Sequence, residues 1–214
     1  MNIHTIILAA GEGSRMKSKR AKSLQRVGGK TMLEMICKTA ESISAKITLI
    51  VGFDKNSIIN ESKSFDFEIS TCEQASPIGT GDAVKCGINE VDDADKVLVL
   101  YGDVPLIKKE TLENLVSTDD KSLTILSTKV DNPFGYGRVK KDNDGNVTQI
   151  IEEKDASNAD KKISEIFTGI LCCNKVLLAE ALKEIKNDNA AGEYYLTDIV
   201  LSLIHIWRCR RHTT

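Results

Sequence analysis

Three nearly unbroken apolar runs recur along the chain: "IHTIILAA" (3–10), "KITLIVG" (46–52) and "KVLVLYGD" (96–103). Runs of strand length, rich in Ile and Val and without polar alternation, belong to strands covered on both faces, which points to a parallel sheet flanked by helices. The intervals have room for those helices. "TMLEMICKTAESI" (31–43) sets Met32, Met35, Ile36, Thr39 and Ile43 on one helical stripe, and "TGDAVKCGINEV" (80–91) reads as a second helix. "SLTILSTKV" (122–130) is a fourth strand. The β-α-β-α order predicts an α/β domain whose mostly parallel central sheet carries helices on both faces.

After residue 130 the rhythm changes. "YGRVKKDNDGNVTQIIEE" (136–153) reads as two strands turning at "NDG", a small antiparallel insertion at one end of the sheet. "KISEIFTGILCC" (162–173) resumes a strand, and "KVLLAEALKEIK" (175–186) is an amphipathic helix.

A length of 214 residues suits one such domain. The net charge of -2 argues against nucleic-acid binding by bulk electrostatics. No apolar run approaches the roughly 20 residues that cross a bilayer, and no basic leader precedes the first strand. The six cysteines show no C-x-x-C spacing and read as reduced thiols of a cytoplasmic protein.

"LAAGEGSRM" (8–16) lies where the first strand ends and the chain must turn. Ala9, Ala10, Gly11 and Gly13 leave the backbone bare, so several N–H groups can approach an anion or a base. A ligand crevice is expected at the carboxyl edge of such a sheet. Arg15 and Lys22 add positive charge beside the loop, which suits a polyphosphate. Two familiar phosphate motifs are excluded: the dinucleotide fingerprint needs Gly where Met16 stands, and a P-loop ending in "GKT" (29–31) needs Gly where Leu24 stands. "GGKT" is instead a turn that starts the helix at 31. His4, the only histidine before residue 201, falls inside the first strand and reads as structural.

Asp103 directly follows the strand "KVLVLYG", so its carboxylate projects from the same edge as the glycine loop. A lone carboxylate there suits Mg²⁺, which takes few protein ligands and keeps water and phosphate oxygens. A turn or helix cap before Pro105 is the plainer alternative.

The segments "LAAGEGSRM", "EQASPIGTGDA", "LYGDVPL", "NPFGYGRV", "IIEEKDA", "EIFTGI" and "AAGEYYLTDI" occur in an order similar to that of the N-acetylglucosamine-1-phosphate uridylyltransferases, over about residues 3 to 200. The resemblance implies a Rossmann-like, GT-A-like nucleotidyltransferase fold. It implies Mg²⁺-dependent transfer of UMP from UTP to N-acetylglucosamine 1-phosphate, giving UDP-N-acetylglucosamine, a cell-wall precursor, and pyrophosphate. It also implies roles: Leu8, Ala9, Ala10 and Gly11 on the nucleoside; Gln74, Gly79 and Thr80 reading uracil and closing the pocket; Arg15 and Lys22 on the phosphates; Asp103 on Mg²⁺. Gly137, Glu152, Thr168, Tyr195 and Thr197 would line the amino-sugar pocket. On the residues alone, Glu152 reads as part of a solvated charge cluster and Tyr194 and Tyr195 as packing residues.

The chain departs from the family at several points. Phe167 stands where the family has an Asn that helps hold the sugar, Ala21 where it has Pro, and Pro77 enters the stretch before "GTG". The family's second Mg²⁺ ligand, an Asn beyond "LTDI", and its β-helix acetyltransferase domain, which builds the trimer, have no counterpart. The expected organisation is an incomplete nucleotidyltransferase domain over 1–200. Residues 201–214, "LSLIHIWRCRRHTT", hold the single Trp and no Lys, Asp or Glu; they read as foreign sequence, similar to a translated library adaptor, or else as a short basic tail. Two other functions remain open: a related nucleotidyltransferase with another acceptor, and a non-catalytic nucleotide-binding module.

Overall fold

A computed structural model describes residues 2–13, 18, 20–92, 94–118 and 123–204. In chain order, β1 (Ile3–Leu8) leads through a short hairpin, β2 (Arg26–Val27) and β3 (Lys30–Thr31), into α1 (Met32–Glu41). There follow β4 (Lys46–Val51), α2 (Lys55–Ser62), β5 (Ser70–Glu73), α3 (Thr80–Ile88), β6 (Lys96–Tyr101), α4 (Lys109–Val116) and β7 (Leu123–Lys129). The chain continues with β8 (Arg138–Lys141), β9 (Val147–Ile151), β10 (Glu165–Asn174) and α5 (Lys175–Glu184).

The predicted α/β architecture is present. Four neighbouring strands, in the order β5-β4-β1-β6, run parallel. All six residues of β1 are buried because alternate side chains enter opposite cores. Ile6 and Leu8 pack in the layer that contains α3 and α5, whereas Ile3 and Ile7 face the layer that contains α1, α2 and α4. This two-sided burial is what made the sequence run continuous. β10 lies antiparallel beside β6 and carries β7 and β8 on its other flank, and the β8–β9 hairpin forms the far edge. The reversed strand therefore sits inside the sheet, with the antiparallel hairpin beyond it.

The stripe expected on α1 is rotated. Leu33, Ile36, Cys37 and Ala40 are buried, while Met32, Met35 and Thr39 are only half-buried. The hairpin fixes the helix start: Thr31 ends β3 and its hydroxyl accepts the Glu34 N–H at 3.1 Å as the N-cap. Counting from that cap turns the 33/36/37/40 face inward. Thus "GGKT" does start the helix, but through a strand pair. α2 and β5 carried too little periodicity to be read from the sequence, whereas α4, which buries Leu112, Leu115 and Val116 on one face, carried a helical signal that went unnamed.

Residues 199–204 are helical, and Ile199, Val200 and Leu203 join the α3–α5 layer. The boundary expected at 200 thus falls within a packed turn, and residues 205–214 lie outside the described residues.

His4 is 4% exposed, and its Nε2 lies 2.8 Å from Thr48 Oγ1. Burial, then Lys46, lowers its pKa, with Asp92 opposing. The folded state thus favours the neutral ring, and this stabilisation is fully present above the unfolded value of ~6.5 and is lost progressively as pH falls below it through the lowered folded value. The urea midpoint is expected to drop between about pH 7.5 and about pH 5.5, and His4→Gln should flatten that slope. An equal slope in the variant would remove His4 from the account.

Candidate active site

β1 and β6 run side by side with Leu8 opposite Tyr101, so the chain leaves both strands at one sheet edge. The Gly102 N–H donates to the Leu8 carbonyl at 2.9 Å, which holds the two exits together. On the other side the Ala9 N–H donates to the Ile50 carbonyl at 2.9 Å, and the Ala10 carbonyl accepts the Phe53 N–H at 3.0 Å. The loop after β1 is therefore fixed at both ends of its first turn. A Cβ on Gly13 would meet Lys22 Cβ at 2.9 Å, so the loop packs directly on the segment that carries the lysine. Lys22 Nζ reaches Asp103 Oδ2 at 2.6 Å.

These elements enclose a cleft of about 610 Å³. Leu8, Ala9, Ala10, Gly11, Lys22, Gln74, Gly79, Thr80 and Asp103 all line it. Arg15 lies outside the described residues. Ser23, Pro77, Ala83, Tyr101 and Glu193, absent from the predicted site, also line the cleft. For Tyr101 a signal existed: it ends the strand that delivers Asp103. Ser23 gave none, although its buried hydroxyl has no hydrogen-bond partner.

One wall is built around Gln74. Its backbone N–H donates to the Val51 carbonyl at 2.8 Å, and its side chain is buried. Nε2 donates to the Gly79 carbonyl at 3.0 Å and to Asp82 Oδ2 at 2.9 Å. Both amide protons are then engaged, which leaves the amide oxygen as an acceptor. Thr80 Oγ1 accepts the Leu196 N–H at 3.2 Å and shares a hydrogen bond with Tyr101, whose phenol burial pushes upward.

Of the hairpin and residues 193–197 only Glu193 lines the cleft; Gly137, Glu152, Thr168, Tyr195 and Thr197 do not, and form a second group beside it. Glu152 Oε1 accepts the Thr197 hydroxyl at 3.1 Å. Burial raises the Glu152 pKa; the Thr197 bond opposes this, and Asp198, Asp155 and Glu193 add to it. The solvated cluster suggested by "EEK" is therefore not what Glu152 experiences. Gly137 leaves space above it: a Cβ there would lie 3.0 Å from Ile150 Cγ2 and 3.6 Å from Glu152 Oε1. Burial, together with Asp155, Glu152 and Glu193, pushes the Tyr195 phenol up to about 12. Thr168 is placed differently. Its hydroxyl donates to the Leu126 carbonyl at 2.8 Å and accepts the Ile170 N–H at 3.3 Å, within the irregularity of β10. Phe167 is buried in the same apolar layer as Val139, Ile150 and Leu196, and its N–H donates to the Gly137 carbonyl at 2.9 Å.

A family model described as a MobA-like NTP transferase domain matches residues 5–191. This chain belongs to the MobA-like NTP transferase family. The MobA-like chain is 45% identical over 197 residues to the bifunctional protein GlmU of Psychrobacter sp. (strain PRwf-1), covering 92% of this chain and 43% of that protein. It is 44% identical over 201 residues to the same-named protein of Alcanivorax borkumensis, covering 94% and 44%, and 42% identical to that of Clostridioides difficile, covering 92% and 43%. The chain thus spans less than half the length of these curated relatives.

The MobA-like cleft offers backbone N–H groups, one lysine and two carboxylates, Asp103 beside the lysine and Glu193 on the opposite segment, and its glycine loop with Lys22 is suited to holding phosphates. Among the described residues no cluster of three His, Cys, Asp or Glu stands ready for a metal. A cation held by Asp103 alone must complete its shell with water and ligand oxygens. That donor set fits Mg²⁺, which commonly binds through one or two carboxylates plus substrate phosphates. Among the described residues no helix is long and apolar enough to cross a membrane.

Proposed function

We propose that this chain transfers UMP from UTP to N-acetylglucosamine 1-phosphate, releasing pyrophosphate. The observation that carries the reading is the Lys22–Asp103 pair at a glycine-walled cleft, with Glu152, Thr197 and Gly137 grouped beside it. The acceptor's phosphate oxygen attacks the α-phosphorus, the α–β bridging bond breaks, and its electrons leave with pyrophosphate. No enzyme nucleophile is needed, so positioning and charge neutralisation supply the acceleration.

The bare backbone of residues 8–11 admits the nucleoside. The free amide oxygen of Gln74 accepts an imide N–H, which uracil has at its pairing edge and cytosine lacks. Lys22 exchanges Asp103 for triphosphate oxygens. Asp103 would hold Mg²⁺, which when bound offsets charge on the phosphates and orients them. Glu152 and Thr197 orient the acceptor's sugar. Work on UTP, with Cys37, Cys72, Cys86 and Cys173 outside any disulfide, fits a cytoplasmic location.

Pyrophosphate release from the purified chain with Mg²⁺ tests the proposal, using four nucleoside triphosphates against a panel of sugar phosphates. UTP with N-acetylglucosamine 1-phosphate is expected to be the preferred pair. Release only with a different acceptor would overturn the substrate assignment; Phe167 is the first residue to examine in that case. UTP binding without release for any acceptor would make the chain a binding module.

A further inference from the structure

Next to Glu152 a buried guanidinium pairs with a half-buried carboxylate, Glu153, whose other oxygen lies 3.9 Å from Lys161 Nζ. Arg138 is 1% exposed and heads the largest fully buried side chains. Its Nη2 donates to Glu153 Oε2 at 2.6 Å, and its Nη1 donates to the Tyr136 carbonyl. The same Glu153 oxygen accepts the Gly135 N–H at 3.1 Å. The guanidinium Nε–H is buried without a hydrogen-bond partner. A buried guanidinium with an unsatisfied donor adds little to stability, since apolar residues of similar volume commonly do as well. What it supplies here is geometry.

The β8–β9 ladder ends at the pairing of Arg138 with Ile151. Gly137 and Glu152 are the next residues outward on the two strands, where no ladder bond holds them to each other. The fork of Arg138 joins the 135–136 backbone to Glu153, and Glu153 fixes the chain immediately after Glu152. We propose that Arg138 and Glu153 are positioning residues: their ion pair sets the separation between the Gly137 backbone and the Glu152 carboxylate, and so the fit of the acceptor sugar, without either touching it. This rests on the acceptor-site reading above. A one-ångström displacement of a positioning group can cost about a hundredfold in rate.

The test uses Glu153→Gln, Arg138→Lys and Arg138→Met in the purified chain, with melting temperature, UTP Kd by calorimetry, and KM for each substrate. Glu153→Gln and Arg138→Lys are expected to raise the acceptor KM about tenfold and leave UTP Kd within about twofold, with Arg138→Met worse than Arg138→Lys. A lowered melting temperature with the acceptor KM unchanged would overturn the proposal and make the pair merely structural. Equal losses for UTP and acceptor would overturn it as well. If Arg138→Met does not fold, Glu153→Gln decides, because it keeps the side-chain shape and an acceptor for the guanidinium. The wild-type panel separates the two ideas. If another sugar phosphate is the substrate, the substrate assignment fails and the clamp is read from that acceptor's KM. If none turns over, amide exchange decides: faster exchange at 134–137 in Glu153→Gln supports the clamp, and unchanged exchange overturns it.

Discussion

Asp103→Asn is expected to lose about a thousandfold in pyrophosphate release while binding UTP nearly as well as the parent chain. Asparagine keeps the shape and removes the charge. A metal ion that offsets phosphate charge contributes several kcal/mol to such a displacement, and each 1.36 kcal/mol is about tenfold in rate. The nucleoside-facing groups, Leu8 to Gly11, Gln74 and Thr80, do not depend on this carboxylate. Lys22 does: it sits 2.6 Å from Asp103 Oδ2, so the lysine's counter-charge is lost. Freed of it, Lys22 should hold UTP in EDTA as tightly as before or a few-fold more tightly. Both side chains are partly exposed, at 42% and 30%, and a pair of that kind is worth only about 0–1 kcal/mol of stability. The variant should therefore fold. Single-turnover release with Mg²⁺, beside calorimetry with EDTA, separates the outcomes. A rate within about tenfold of the parent would remove Asp103 as metal ligand. A parallel collapse of UTP affinity would make it a structural part of the cleft.

What the sequence disclosed follows from where each signal resides. Strands covered on both sides announce themselves, because β1, β4 and β6 each bury nearly every residue. Strands and helices at the margins do not. β5 exposes Ser70, Thr71 and Glu73, and α2 buries only Ile58 and Ser62. The strand-end loop and Asp103 were legible because a parallel sheet brings strand ends to one edge whatever the details. The second group was named through the family resemblance alone; the residues by themselves did not disclose it, since Glu152 and Thr197 are 45 residues apart and meet only through the fold. Lys96 shows the same limit. Its charge looks like a strand boundary, yet the ammonium is buried and donates to the Val116 carbonyl at 2.9 Å and to that of Thr118, closing the end of α4. Such partners are set by topology and leave no periodic trace.

The junction between the cleft and the second group should fail at a single methyl group. Gly79 has φ +125°, a region that L side chains rarely adopt, and a Cβ there would lie 2.4 Å from the Tyr194 carbonyl oxygen and 2.6 Å from its nitrogen. These are backbone atoms with little freedom to withdraw. The Tyr194 N–H donates to the Ile78 carbonyl at 2.8 Å, and the Tyr194 carbonyl accepts the Gly81 N–H at 2.8 Å. Residues 193–197 are thus sewn to the loop that opens α3, and Tyr195 and Thr197 ride on that seam. In Gly79→Ala the backbone strain alone costs ~1–3 kcal/mol, and the clash forces the seam apart. At about 2–4 °C per kcal/mol for a chain of this size, the melting temperature should fall by several degrees. KM should rise for nucleotide and acceptor together, unlike the acceptor-only effect expected at Arg138 and Glu153. Gly11→Ala is the contrast. A Cβ there meets nothing within 4 Å, so the fold should tolerate it, while the methyl group enters the cleft and weakens UTP binding. If Gly79→Ala melts and binds like the parent, the 193–197 segment is not rigidly docked, and the cleft and the second group cannot be acting as one site.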